Sequence, residues 1–146
     1  MREAGIAAPE SGGVVGATTE RASMAGRPVT GHTEPSTSVI IVSYNARQHL
    51  GNCLRSVLGE GIGADEVIVV DNASRDGSAE YVARAFPRVR VVRSGANLGF
   101  GGASNLAAQH AQGEVLAFLN PDTVVEDDWL APLVAAVEGD REVALA

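Results

Sequence analysis

The chain has 146 residues, 45% of them hydrophobic and 20% charged, with a formal net charge of −7. That length sets an expectation of one domain, and the single cysteine, Cys53, excludes an internal disulfide or a cysteine-rich zinc site. Arg supplies all 11 basic residues and no basic block occurs, which argues against a nucleic-acid partner or a polybasic membrane patch.

No apolar run approaches the ~20 residues needed to span a bilayer. Within residues 1–25 the apolar patch is Gly-Gly-Val-Val-Gly-Ala, shorter than the roughly 7–15 residues of a secretory core. A cytoplasmic protein is therefore expected. Residues 1–36 are rich in Gly, Ala, Ser, Thr, Glu and Pro and show neither strand nor helix periodicity, so they are read as a disordered leader. Order is expected from Thr37, with residues 37–146 forming one domain.

Residues 38–43, Ser-Val-Ile-Ile-Val-Ser, are a continuous β-branched run, the pattern of a strand buried on both faces. Residues 46–58 place Leu50, Cys53, Leu54, Val57 and Leu58 at helical spacing, and the glycines that follow stop the helix. A second buried strand covers residues 66–71, and a helix over 76–86 is capped by Asp76 or Ser78 and closed by Pro87. Residues 89–93 predict a third strand, 102–111 a short helix, and 114–120 a fourth strand. Residues 127–138 predict a last helix with Asp127 and Asp128 at its start and Gly139 as its C-cap, in which Pro132 is tolerable only within the first turn. Residues 143–146 read as the opening of a fifth strand, so the sheet is expected to be incomplete at its C-terminal end. Such an uncovered edge predicts poor solubility. The alternation specifies an α/β fold, a mostly parallel Rossmann-like sheet with flanking helices.

Ligands of open α/β sheets bind beyond the carboxyl ends of the strands. The residues delivered there are Ser43, Tyr44 and Asn45, then Asp71 and Asn72, then Asn97 and Gly99, then Asn120 and Asp122. Asp71 is placed to accept hydrogen bonds from a nucleoside. Asp122, on a Pro-containing turn, is a hard oxygen ligand for Mg²⁺ or Mn²⁺, ions that take one or two carboxylates plus phosphate oxygens. Together they suggest a nucleotide-diphosphate ligand. The Gly-Phe-Gly-Gly run starting at Gly99 is not a dinucleotide fingerprint, because it does not follow the first strand. A P-loop is absent, since the chain contains no Lys. His49 and His110 lie on helices away from the strand ends, and Cys53 falls on an inward helical stripe.

Four segments carry a resemblance: the first strand through Asn45, Val-Ile-Val-Val-Asp71-Asn-Ala-Ser74-Arg-Asp76-Gly77-Ser78, residues 97–105 ending in Asn105, and Phe-Leu-Asn120-Pro-Asp122-Thr. In this order and spacing they resemble family 2 glycosyltransferases of the GT-A fold, nearest the rhamnosyltransferase-like subgroup that builds bacterial cell-wall polysaccharide. The resemblance implies that Tyr44 and Asp71 contact the base and ribose of a dTDP- or UDP-sugar. It implies that residues 97–105 form the loop and helix start beneath the donor, and that Asn120-Pro-Asp122 stands for an Asp-x-Asp motif with Asp122 as metal ligand. It further implies inverting transfer to a sugar or lipid-linked acceptor, with peripheral association of the full-length enzyme at the inner membrane. The general base is implied to lie beyond Ala146, in an acceptor-binding half. This chain is accordingly expected to bind donor without robust transfer, as a fragment, a truncated gene or one piece of a split enzyme with a complementary C-terminal half. The alternative is a non-catalytic remnant or nucleotide-binding module. A sugar-nucleotide-forming nucleotidyltransferase is a weaker reading, because its Gly- and Arg-rich loop with a Lys is missing.

Overall fold

The computed structural model describes residues 16–19, 35–59 and 63–139. Their elements, in chain order, are β1 (Gly16–Thr19), β2 (Thr37–Ser43), α1 (Arg47–Val57), β3 (Glu66–Asp71), α2 (Ser78–Ala85), β4 (Arg90–Arg93), α3 (Gly99–His110), β5 (Val115–Leu119) and α4 (Leu130–Gly139). The sheet order is β1-β5-β2-β3-β4. Pairs β2/β3, β2/β5 and β3/β4 are parallel, as expected from the alternation, whereas β1 runs antiparallel to β5.

Every residue of β2 is buried because helices cover both sides of the sheet. The pleat sends Val39, Ile41, Val67 and Val69 to one face, where they meet Leu50, Leu54 and Val57 of α1, Val82 of α2, and Leu130, Val134 and Val137 of α4. Ile40, Val42, Ile68 and Val70 face the other way, onto Ala103 and Ala107 of α3. Alanines at those two positions let α3 lie close to the sheet. Burying each of the large side chains Ile40, Ile41, Leu50, Leu54, Ile68 and Leu119 contributes about 1.5–3 kcal/mol, so this two-sided core fixes the strand ends on which any site depends.

The described elements differ from expectation at four places. The strand Gly16–Thr19 lies inside the stretch read as a disordered leader. It has no periodic signal of its own and exists by pairing with the outer edge of β5, a row of backbone donors and acceptors that needs a partner. Helix α3 starts at Gly99 rather than residue 102, and Gly99 enters it with a left-handed φ of 69° that only a glycine adopts cheaply. Helix α4 starts at Leu130, so Asp127 and Asp128 precede it instead of occupying its first turn. Gly139 is still helical, the last described residue of α4, and Pro132 does fall in the first turn. The fifth strand expected at residues 143–146 lies outside the described residues, as does the rest of the leader apart from residues 35–36.

Candidate functional site

The chain steps outward from β2 to β3 and β4, then returns through α3 to β5 on the other side of β2. The carboxyl ends of β2, β3 and β4 therefore lie together. Ser43 is paired in register with Asp71, and Asp71 with Arg93, so the last residues of three strands form one row.

The loops leaving this row are braced to each other. Asn45 takes a left-handed φ of 52°. Its backbone N–H donates to Ser74 Oγ at 2.9 Å, and its side-chain Oδ1 accepts the Arg75 N–H at 2.8 Å. Asp76 accepts the Arg47 N–H at 2.9 Å through one carboxylate oxygen and the Ser78 N–H at 3.0 Å through the other. One carboxylate thus satisfies the first turns of both α1 and α2, a larger role than the single cap expected. Burial pushes the Asp76 carboxyl up, but hydrogen bonds from the Ser78 hydroxyl and the Arg47 and Ser78 N–H groups outweigh it and hold it below the ordinary carboxylate range.

Between these loops is a cavity of about 510 Å³, lined by Tyr44, Asp71, Ala73, Ser74, Arg75, Arg93, Gly95, Ala96 and Asn97. That volume is within the range of small-molecule sites. Asp71 is only 5% exposed, and its Oδ1 has no hydrogen-bond partner among the described residues. Beside it, Ser43 Oγ is likewise buried without a partner. Buried polar groups are normally satisfied, so an unpartnered oxygen on a carboxylate whose residue lines the cavity is an exception. Arg93 hydrogen-bonds Glu80 at 2.8 Å, and that bond, the Glu80 charge and the more distant Asp71 charge raise its pKa. Arg75 has no ion-pair partner among the described residues.

The cavity unites Tyr44, Asp71 and Asn97 of the expected residues. Ser43 lies beside Asp71 in the strand-end row. Asn45 braces the loops, and Asn72, 3% exposed, directs its amide to the loop after β4; neither lines the cavity. Gly99 opens α3, while Asn105 is exposed in the second turn of that helix and does not line the cavity. Asn120 and Asp122 belong to a turn closed by Thr123 N–H donating to Asn120 O at 3.2 Å. Asp122 is exposed and lines no part of this cavity, because β5 stands on the far side of β2 from β3. Asp71 ends β3 and Asp122 follows β5, two strands away at the same carboxyl edge of the sheet. Sequence reasoning delivered Ser74 to this edge without giving it a role, and missed Arg75 and Arg93. The rule that found Asp71 also applies to Arg93, the last residue of its strand.

Helix α1 holds the turn after β5. Cys53 donates its thiol hydrogen to Asn120 O at 3.7 Å, and Ser56 Oγ accepts the Val125 N–H at 3.1 Å. Burial, and secondarily the Asp122 charge, push the Cys53 thiol up to about 12, which keeps it protonated and unreactive.

The family model described as Glycosyl transferase family 2 matches residues 38–146. The chain belongs to this family. Glycosyltransferase AglE of Haloferax volcanii is 31% identical over 112 residues, covering 73% of this chain and 37% of AglE. Among solved structures, S. aureus TarS superposes with a TM-score of 0.61 at 25% identity, covering 73% of this chain and 33% of TarS. The mannosyltransferase PcManGT from Pyrobaculum calidifontis, solved with GDP-Man and Mn²⁺, gives 0.56 at 30% identity, covering 61% and 28%. This family 2 chain therefore has the GT-A-like mostly parallel sheet of those neighbours, and it spans about a third of the length of the curated relatives it matches. Among its described residues no group of three His, Cys, Asp or Glu side chains could hold a metal. Asp122 alone, exposed at its turn, suits an ion whose remaining ligands are phosphate oxygens and water. No helix of the described residues is long and apolar enough to cross a membrane.

Proposed function

We propose that this chain binds the donor of a family 2 glycosyltransferase, a dTDP- or UDP-sugar, with the nucleoside in the cavity at Asp71 and the diphosphate directed toward Asp122. The observation that carries this is the buried Asp71 carboxylate whose Oδ1 lacks a protein partner while lining an open cavity. Support comes from the neighbours: TarS has been solved with UDP and with UDP-GlcNAc, and PcManGT with GDP-Man. Arg75 and Arg93 give the same cavity two guanidinium groups suited to anionic or carbonyl oxygens. The strands that end at Asp71 and before Asp122 are separated only by β2, an inter-strand span of about 10 Å that a nucleoside diphosphate can bridge.

The proposed reaction of the full-length enzyme is inverting transfer. An acceptor hydroxyl oxygen bonds to the anomeric carbon from the face opposite the diphosphate. The anomeric C–O bond breaks, and a carboxylate base takes the hydroxyl proton. Mg²⁺ or Mn²⁺ held by Asp122 and the diphosphate would supply compensation for the charge of the leaving group. Among the described residues Asp71 is the only carboxylate lining the cavity, and it is engaged with the nucleoside, so the base is assigned to the acceptor-binding part of the full-length enzyme. A rhamnosyltransferase-like role in cell-wall or surface polysaccharide synthesis, in the cytoplasm and peripheral to the inner membrane with a lipid-linked acceptor, completes the proposal. The lack of a second cavity carboxylate also favours a second reading, a nucleotide-binding module without transfer activity.

Calorimetric titration of the 146-residue chain with UDP, dTDP and GDP, with and without Mn²⁺, tests the donor assignment. Saturable heat with UDP or dTDP is expected. No binding of any of the three at millimolar concentration overturns it. Turnover of UDP-GlcNAc or a dTDP-sugar by the chain alone, with any acceptor, would contradict the placement of the base.

A further inference from the structure

Asn72 and Asn97 form a pair whose amide orientations are fixed by backbone groups. The Leu98 N–H donates to Asn72 Oδ1 at 2.8 Å, and the Gly99 N–H donates to Asn97 Oδ1 at 2.9 Å. A backbone N–H can only donate, so both side-chain oxygens are identified by what they accept. Asn72 Nδ2 then faces two acceptors, Asn97 Oδ1 at 3.1 Å and Gly99 O at 3.2 Å, and both its hydrogens are used. The Ser94 hydroxyl is 3.3 Å from Asn72 Oδ1 but has one hydrogen, which goes to Ala96 O at 2.6 Å. With its amide engaged and its side chain buried, Asn72 has nothing left for a ligand.

The consequence for Asn97 is the reverse. Its Oδ1 receives both Asn72 Nδ2 and Gly99 N, which fills its two lone pairs. Its Nδ2 has no partner among the described hydrogen bonds, and the residue lines the cavity. We infer that Asn72 is a positioning residue: it holds the loop after β4 so that Asn97 presents its amide Nδ2, a pure donor, to an acceptor oxygen of the bound nucleotide. Asp71, a pure acceptor, and Asn97, a pure donor, then define opposite polarities at two walls of one cavity. Besides its covalent continuation from β4, the loop is tied to the end of β3 by Asn72 and by Ser94, whose N–H donates to Asp71 O at 3.1 Å and whose hydroxyl is 3.2 Å from the same oxygen. This inference rests on the nucleotide reading of the cavity.

The test is a double-mutant cycle on UDP affinity with wild type, N72D, N97A and N72D/N97A. N72D keeps the oxygen that accepts from Leu98 and replaces the Nδ2 donor by an oxygen facing two acceptors. N97A is expected to raise the UDP Kd about tenfold, the loss of one hydrogen bond. N72D is expected to raise it by a similar factor without touching the ligand, and the double variant no further. Fully multiplied losses, about a hundredfold, or wild-type affinity in N72D, overturn the role of Asn72. A purely structural role would lower the melting temperature but would not move the side-chain amide resonances of Asn97. These are expected to shift with UDP in wild type and to be unresponsive in N72D. Asn72→Ser, which also lacks the bridging amide, replaces N72D if the latter does not fold. Absence of UDP binding by wild type removes the nucleotide reading and this role with it. Wild-type affinity in N72D, alongside loss of binding in an Asp71 variant, removes only the role of Asn72.

Discussion

Replacing Asp71 with Asn separates binding from folding, because the two should change in opposite directions. In the ligand-free protein the Asp71 carboxylate is 5% exposed with Oδ1 unpartnered. Leaving a buried polar atom unsatisfied costs about 1–3 kcal/mol. Arg93, its register partner on β4, feels the Asp71 charge from farther off than that of Glu80 and offsets a small part of this. Asp71→Asn keeps the shape and removes the charge, so a net stabilisation of about 1 kcal/mol is expected, or roughly 4 °C in melting temperature. For the nucleotide the same change exchanges a charge-assisted hydrogen bond for a neutral one. At about 1.5–3 kcal/mol for the charged bond, the UDP Kd should rise roughly 10- to 100-fold. Thermal or urea unfolding gives the first quantity and calorimetry with UDP the second. A variant that is less stable and binds UDP within twofold of wild type would refute the view that this carboxylate is held unsatisfied for a ligand.

Further outcomes follow from particular contacts. A Cβ on Gly113 would come within 2.5 Å of Ser38 N and 2.8 Å of Ser38 Oγ; since backbone cannot move aside cheaply, Gly113→Ala should cost about 2–3 kcal/mol, read as a lower urea midpoint. Asp76→Ala removes the shared cap of α1 and α2 and should cost about 1–2 kcal/mol near neutral pH. Because the folded pKa of Asp76 is depressed, its contribution is present above the unfolded carboxylate value and disappears as pH falls through the folded one, so the variant's deficit should shrink in acid. Cys53 is raised from 9.0 to about 12, so its contribution is intact below pH 9 and lost as pH rises toward 12, at up to about 1.4 kcal/mol per pH unit. Cys53→Ala should lack that alkaline slope, and wild-type Cys53 should resist thiol reagents at pH 8 until the protein unfolds. Asp122→Ala should weaken UDP binding only when Mn²⁺ is present; equal affinities with Mn²⁺ would remove the metal assignment.

The parallel core was legible in the sequence because strands covered on both faces read as unbroken runs such as Val39 to Val42, which no surface element imitates. Asp71 was legible because a charged residue ending such a run has one place to go. Strand β1 was not, since its order comes from the edge of β5 and not from its own residues. Asn72 was read as a ligand because type and position matched, yet only the hydrogen-bond geometry reveals that its amide is already engaged. Arg93 was read as part of a strand, and its place beside Asp71 emerges from register, which pairs positions far apart in the chain. Asp71 and Asp122 both follow carboxyl strand ends, and only the strand order shows that β5, returning to the other side of β2, keeps Asp122 out of the lining of the cavity at Asp71.

The cross-bracing of Asn45 to Ser74 and Arg75, and of Arg47 to Asp76, makes two walls of the cavity a single stiff bracket. Its conformational freedom is surrendered when the chain folds, before any nucleotide arrives. Association then loses little entropy on that side, so even a few polar contacts can yield useful occupancy.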